Sequence, residues 1–139
     1  MITSFCERIF TMLMTPRNPT DGIYPATSDY IHAMEVGDIR RLLFVSGTMG
    51  LDERGRAPES LGAQLVLIWS NLRRILAEAG MTTDNIVRLT SYLRDSAYVE
   101  ANQNARLDAL GTRRIPTTAI VVQTLRDDWL VEIEIIAAA

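Results

Sequence analysis

Ser60-Leu61-Gly62-Ala63-Gln64-Leu65-Val66-Leu67-Ile68-Trp69-Ser70-Asn71-Leu72-Arg73-Arg74-Ile75-Leu76-Ala77-Glu78-Ala79 divides the chain into two β-rich parts. Leu61, Leu65, Ile68, Leu72, Ile75, Leu76 and Ala79 recur at three- and four-residue steps, the period of a helix with one apolar face. Gly80 is its expected stop. Before the helix, Tyr30 to Val36 reads as a strand, Gly37-Asp38 as a turn, and Arg41-Leu42-Leu43-Phe44-Val45 as a second, more buried strand. After it, Ile86 to Leu93 is rich in β-formers. Asp95 or Ser96 is placed to cap a second helix that runs to about Leu110 and stops at Gly111. Pro116 opens a strand over residues 118–122, and Trp129 to Ile136 alternates as the last one.

The order is therefore ββαβαββ. Two helices on one face of a mixed sheet is the simplest packing, an α+β two-layer sandwich. The stretches Leu42-Leu43-Phe44-Val45 and Ala119-Ile120-Val121-Val122 are apolar at both alternations, so the sheet face without helices is expected to meet another subunit. Residues 1–27 read as an N-terminal extension and residues 28–139 as the domain. The first ten residues make a poor signal peptide, lacking a basic start and a long apolar run. A start at Met14 is expected to leave the domain intact.

Counting residue types removes much chemistry. The chain has 139 residues, one domain's worth, and a net charge of −3. All 14 basic residues are Arg, which rules out a Schiff-base or P-loop lysine. One His, His32, and one Cys, Cys6, leave no His- or Cys-rich metal site within a protomer. No metal or organic cofactor is expected, and no basic stripe favours nucleic acid. No apolar run approaches the ~20 residues of a membrane span. One unpaired Cys fits a reducing cytoplasm.

Carboxylates, hydroxyls, Arg and backbone amides remain. Glu132 and Glu134 are two apart on a strand and share a face, which suits an acid–base pair and equally a solvated surface. Ser46-Gly47 ends a buried strand, where a glycine lets a backbone amide approach a ligand or simply serves the turn. Arg113-Arg114-Ile115-Pro116-Thr117-Thr118 offers guanidiniums for a carboxylate, or exposed charge before a strand. His32 lies in no triad-like context.

In order, Tyr30 with His32-Ala33, Phe44-Val45-Ser46-Gly47, Gln64, Asn71, Ala79-Gly80, Asn85-Ile86-Val87-Arg88, Asn102, Pro116 and Val131-Glu132-Ile133-Glu134-Ile135 resemble the YjgF/Rid family, also called L-PSP endoribonucleases. The resemblance implies a chorismate-mutase-like fold and a barrel-forming homotrimer with ligand clefts between subunits. It also implies hydrolysis of small imines or enamines. Carried over by position, Glu132 is the catalytic residue, with Tyr30, the Ser46-Gly47 backbone and Asn102 lining the cleft. The family's Pro-Ala-Arg reads Pro116-Thr117-Thr118, so Thr118 stands where an arginine would bind a substrate carboxylate. A preference for neutral or less acidic ligands follows, unless Arg114 folds back to supply the charge. The alternative is a non-catalytic trimer that binds a small molecule or regulates.

Overall fold

A computed structural model describes residues 12–139, so the readings of Cys6 and of the first ten residues lie outside the described residues. The strands are β1 (Leu13–Pro16), β2 (Met34–Gly37), β3 (Leu42–Met49), β4 (Ile86–Leu93), β5 (Thr117–Val121) and β6 (Val131–Ala138). The long helices are α1 (Leu61–Glu78), between β3 and β4, and α2 (Val99–Leu110), between β4 and β5. The main sheet runs β3-β6-β4-β5. β4 and β5 are parallel and the other pairs antiparallel, so the sheet is mixed. The parallel pair is joined across α2, as a parallel pair requires a crossover.

α1 begins where the Ser60 hydroxyl accepts a hydrogen bond from the Ala63 amide at 3.2 Å. Leu65, Ile68, Leu72 and Leu76 are buried against the sheet, each worth about 1.5–3 kcal/mol in burial. Ile75 turns partly outward, and Trp69 and Gln64 complete the buried face instead. Gly80, at φ 67°, ends the helix, with the Met81 amide returning to the Leu76 carbonyl at 2.9 Å. Against this layer β6 buries Val131, Ile133, Ile135 and Ala137, and β4 buries Ile86, Leu89 and Leu93.

Two family-matching polar residues turn out to tie α1 to loops. Gln64, 1% exposed, donates to the carbonyls of Pro58 and Asp128 and accepts from the Leu130 amide. Asn71 donates to the carbonyls of Met49 and Leu51, where β3 leaves the sheet. Gly50 lets that crossing happen: a Cβ there would lie 2.6 Å from the Gln64 Cα.

The start of the domain differs from the sequence reading. Residues 30–36 form a strand only at β2, and β2 pairs with β1 rather than with β3. Asp38, at φ 56°, makes the turn out of β2. Leu13 to Pro16, read as part of an arm, is thus a strand, and its Met14 sulfur receives the Arg113 guanidinium at 3.3 Å. Four-residue strands are too short to show an alternation, and their pairing is decided by tertiary proximity. The second helix is split: Asp95 caps a 3-10 turn, Ser96–Tyr98, that leads into α2.

Candidate functional site

Strand alternation builds the site. Val131, Ile133 and Ile135 point into the helical layer, so Glu132 and Glu134 point to the opposite, helix-free face. On β4 that face receives Arg88, Thr90 and Tyr92, because Leu89, Ser91 and Leu93 are buried. The register sets Tyr92 beside Glu132, Thr90 beside Glu134, and Thr118 of β5 beside Thr90.

Glu132 packs on a residue without a side chain. β3 is irregular between Val45 and Thr48, and there Gly47 comes against the Glu132 carboxyl. A Cβ on Gly47 would lie 2.8 Å from the Glu132 Cδ and overlap its Oε1. Burial pushes the Glu132 carboxyl above its ordinary range, and the charge of Glu134 adds to the push. The Tyr92 hydroxyl donates to Glu134 Oε1 at 2.5 Å. That bond, then burial, then the two carboxylates hold the Tyr92 hydroxyl above its ordinary value. Gly47, Tyr92, Glu132 and Glu134 line one side of a hollow of about 280 Å³, with residues 122–125 on the other.

A neighbouring hollow of about 380 Å³ shares Glu134 and is lined by Ser46, Arg88 and Thr90. Arg88 Nη2 donates to Thr118 Oγ1 at 2.7 Å across the β4–β5 pair. A wider groove of about 1120 Å³ runs between β3 and α1, and Ser46 and Gly47 also face it.

Tyr30 and Asn102 lie together elsewhere, in a hollow of about 220 Å³ between α2 and β5. There Arg106 makes a buried pair with Asp29 at 2.7 Å, and the Asn102 side-chain oxygen is buried without a hydrogen-bond partner among the described residues. Arg114 is held on backbone, its Nε donating to the Ser28 carbonyl at 2.7 Å and its Nη1 to Gly111 and Arg113. The structure therefore gathers Glu132, Gly47, Ser46 and Thr118 on one face of the protomer. It does not bring Tyr30, Asn102 or Arg114 to that face. His32 is engaged by the Tyr24 carbonyl at 2.9 Å and stacked edge-on by Tyr24 and Tyr30. Among the described residues no three His, Cys, Asp or Glu side chains group as a metal site, and no helix is long and apolar enough to cross a membrane.

Sequence reasoning singled out neither Tyr92 nor Arg88 for the site. Their period-two spacing around Thr90 shows that they share a face, but not which residues sit opposite them.

Fold and site define a class: an α+β two-layer domain whose uncovered sheet face carries a carboxylate pair beside a glycine bulge. The chain belongs to the Endoribonuclease L-PSP family, whose model matches residues 23–139, and so to the YjgF/Rid group that the sequence resembles. It is similar to a RutC family protein of Pyrococcus abyssi, 29% identical over 110 residues that cover 78% of this chain and 84% of that one. A RutC family protein of Aquifex aeolicus is 34% identical over 84 residues, 60% of this chain and 61% of that relative's length. Among solved structures, a Rid family protein of unknown function from Yersinia pestis, YyfB, superposes with a TM-score of 0.75 at 24% identity. That match covers 91% of this chain and 98% of the Yersinia one, and it shows the shared fold.

Proposed function

We propose that the protein is a cytoplasmic homotrimer that hydrolyses a small imine or enamine without a cofactor, with Glu132 as the proton-transferring group. The observation that supports this most is Glu132 itself, a carboxyl seated on the bare Gly47 backbone with its proton affinity raised by burial. A carboxyl whose proton affinity is raised is a better base than an ordinary carboxylate and still gives the proton back.

The enamine first tautomerises to an imine by a proton shift to carbon. Water adds to the imine carbon as the Glu132 carboxylate takes one of its protons and passes that proton to the nitrogen, giving a carbinolamine and restoring the carboxylate. The Glu132 carboxylate then takes the hydroxyl proton and delivers it to the amine as the C–N bond breaks, so ammonia leaves and the carboxylate is restored. One water is consumed, and one carbonyl compound and one ammonia are released.

Trimer formation covers the exposed apolar residues of the helix-free face, Phe44 at 72% exposure above all. It would also place Tyr30 and Asn102 of one protomer near Glu132 of another. Thr118 carries no charge, so the ligand is held differently from one met by an arginine at that position.

The test is hydrolysis of imines generated in solution, followed by competition with semicarbazide. The wild type is expected to outpace the uncatalysed reaction, and Glu132→Gln to lose about 100-fold or more. A wild type no faster than buffer on both charged and neutral imines, with ligand binding intact, would establish the non-catalytic trimer instead.

A further inference from the structure

Tyr92 stands opposite one glutamate of the site and is bonded to the other. Its register partner on β6 is Glu132, yet its hydroxyl donates to Glu134 Oε1 at 2.5 Å. The phenol therefore crosses the helix-free face on the diagonal between two neighbouring rows, a reach open to an aromatic side chain. Glu132 lies between Gly47 of β3 and Tyr92 of β4, and its carboxyl accepts no hydrogen bond among the described residues. Arg88 shares the face but donates to Thr118 Oγ1. The Tyr92 hydroxyl is thus the one donor that holds Glu134 among the described residues.

We propose that Tyr92 is a positioning residue that separates the two glutamates: by tying Glu134 down, it stops the carboxyls from sharing a proton and leaves Glu132 free to exchange one with water. Two glutamates at i and i+2 of a strand start about 7 Å apart at the backbone, a gap their side chains can close. When they meet, one proton is held between them, and the pair releases it at a higher pH than a lone carboxyl would. A proton so held is poorly placed for transfer to substrate. The phenol is a neutral donor, so it fixes Glu134 without cancelling its charge. That charge is the second cause, after burial, of the raised Glu132 carboxyl. The bond to Glu134 in turn holds the Tyr92 hydroxyl above its ordinary value, so the phenol remains a donor at neutral pH. Glu132 and Glu134 of β6 and Arg88 of β4 are the charged groups that act on the phenol. Gly47 of β3 and residues 122–125, which complete the hollow, bring no charge.

The inference rests on Glu132 as the proton-transferring group, and the carboxyl can be read directly as well as through the reaction. In the full-length protein the Glu132 side-chain carboxyl is followed by carbon NMR against pH, its resonance assigned by its loss in Glu132→Gln. Tyr92→Phe keeps the ring and removes the donor, and it should raise the Glu132 midpoint by about one pH unit, tenfold in proton affinity. Tyr92→Leu, a second variant without the donor, should repeat the rise. In a Glu134→Gln background, Tyr92→Phe should leave the midpoint nearly unchanged, because no second carboxylate remains to share the proton. In imine hydrolysis at the pH of the wild-type midpoint, Tyr92→Phe should lower kcat about fivefold with KM nearly unchanged, and the rate should recover at higher pH. An unchanged or lowered midpoint in Tyr92→Phe, a rise that persists without Glu134, or a rate loss equal at every pH would each overturn the inference. A Glu134-dependent rise in a protein that hydrolyses no imine would uphold the separation of the carboxyls and overturn the reaction alone. Hydrolysis that is lost in Glu132→Gln but keeps its wild-type pH profile in Tyr92→Phe would do the reverse.

Discussion

The Glu132 carboxyl occupies the space that a side chain at Gly47 would fill. The two residues lie on adjacent strands, and the irregular register of β3 between Val45 and Thr48 brings them together. The glycine is thus required by contact with the carboxylate, since its own φ is not in the left-handed region.

Gly47→Ala should therefore act on the site more than on the fold. The overlapping atoms are the far end of a flexible glutamate, which can swing away, so the melting temperature should fall by only a few degrees. Imine hydrolysis should drop about tenfold or more, because Glu132 loses its seat. A drop in activity matched by loss of the folded state would assign Gly47 to stability instead.

The acid limb of the pH–rate profile should sit above the ordinary glutamate range, because burial and then Glu134 raise the Glu132 carboxyl. Glu134→Gln removes the second cause and keeps the first, so the limb should move to lower pH without reaching the ordinary value. The same shift has a stability sign. A carboxyl raised in the folded state contributes stability below its unfolded pKa of about 4.3, and that contribution is lost as pH rises through the folded value. Glu132→Gln should accordingly be more stable than wild type at pH 7–8, an advantage that vanishes below about pH 4, measured by thermal melts.

Asp29 and Arg106 behave in the opposite sense. Burial pushes the Asp29 carboxyl up, but hydrogen bonds from Thr27 and Arg106 and the Arg106 charge outweigh it and hold the carboxyl below its ordinary value. Its contribution is present above the unfolded pKa of about 3.9 and is lost as pH falls through the folded one. The side chains are only 14% and 5% exposed. Asp29→Asn should cost about 3–5 kcal/mol in urea unfolding at pH 7, with the difference shrinking below about pH 4.

Assembly should depend on the apolar residues left uncovered by the helices. Phe44→Glu puts a charge on the edge strand of that face and should convert the proposed trimer to monomer, read by light scattering at micromolar concentration. A wild type of monomer mass would refute the trimer directly.

Local order was readable from the residues alone. The three-and-four spacing of Leu65, Ile68, Leu72 and Leu76 required a helix with one buried face, and Gly80 required its end. The alternation at Val131 to Ile135 placed Glu132 and Glu134 on one face, and the order of elements set an α+β sandwich. These features depend on neighbours within a few positions, where backbone geometry alone couples the side chains. The pairing of β1 with β2, the seat of Glu132 on Gly47 and the reach of Arg88 to Thr118 were decided only by tertiary structure. Arg88 and Thr118 are 30 positions apart, and Gly47 and Glu132 are further still. Which residues meet at such separations is a matter of strand register, and register is set by the packing of the whole core against the sheet, which no single stretch of sequence contains.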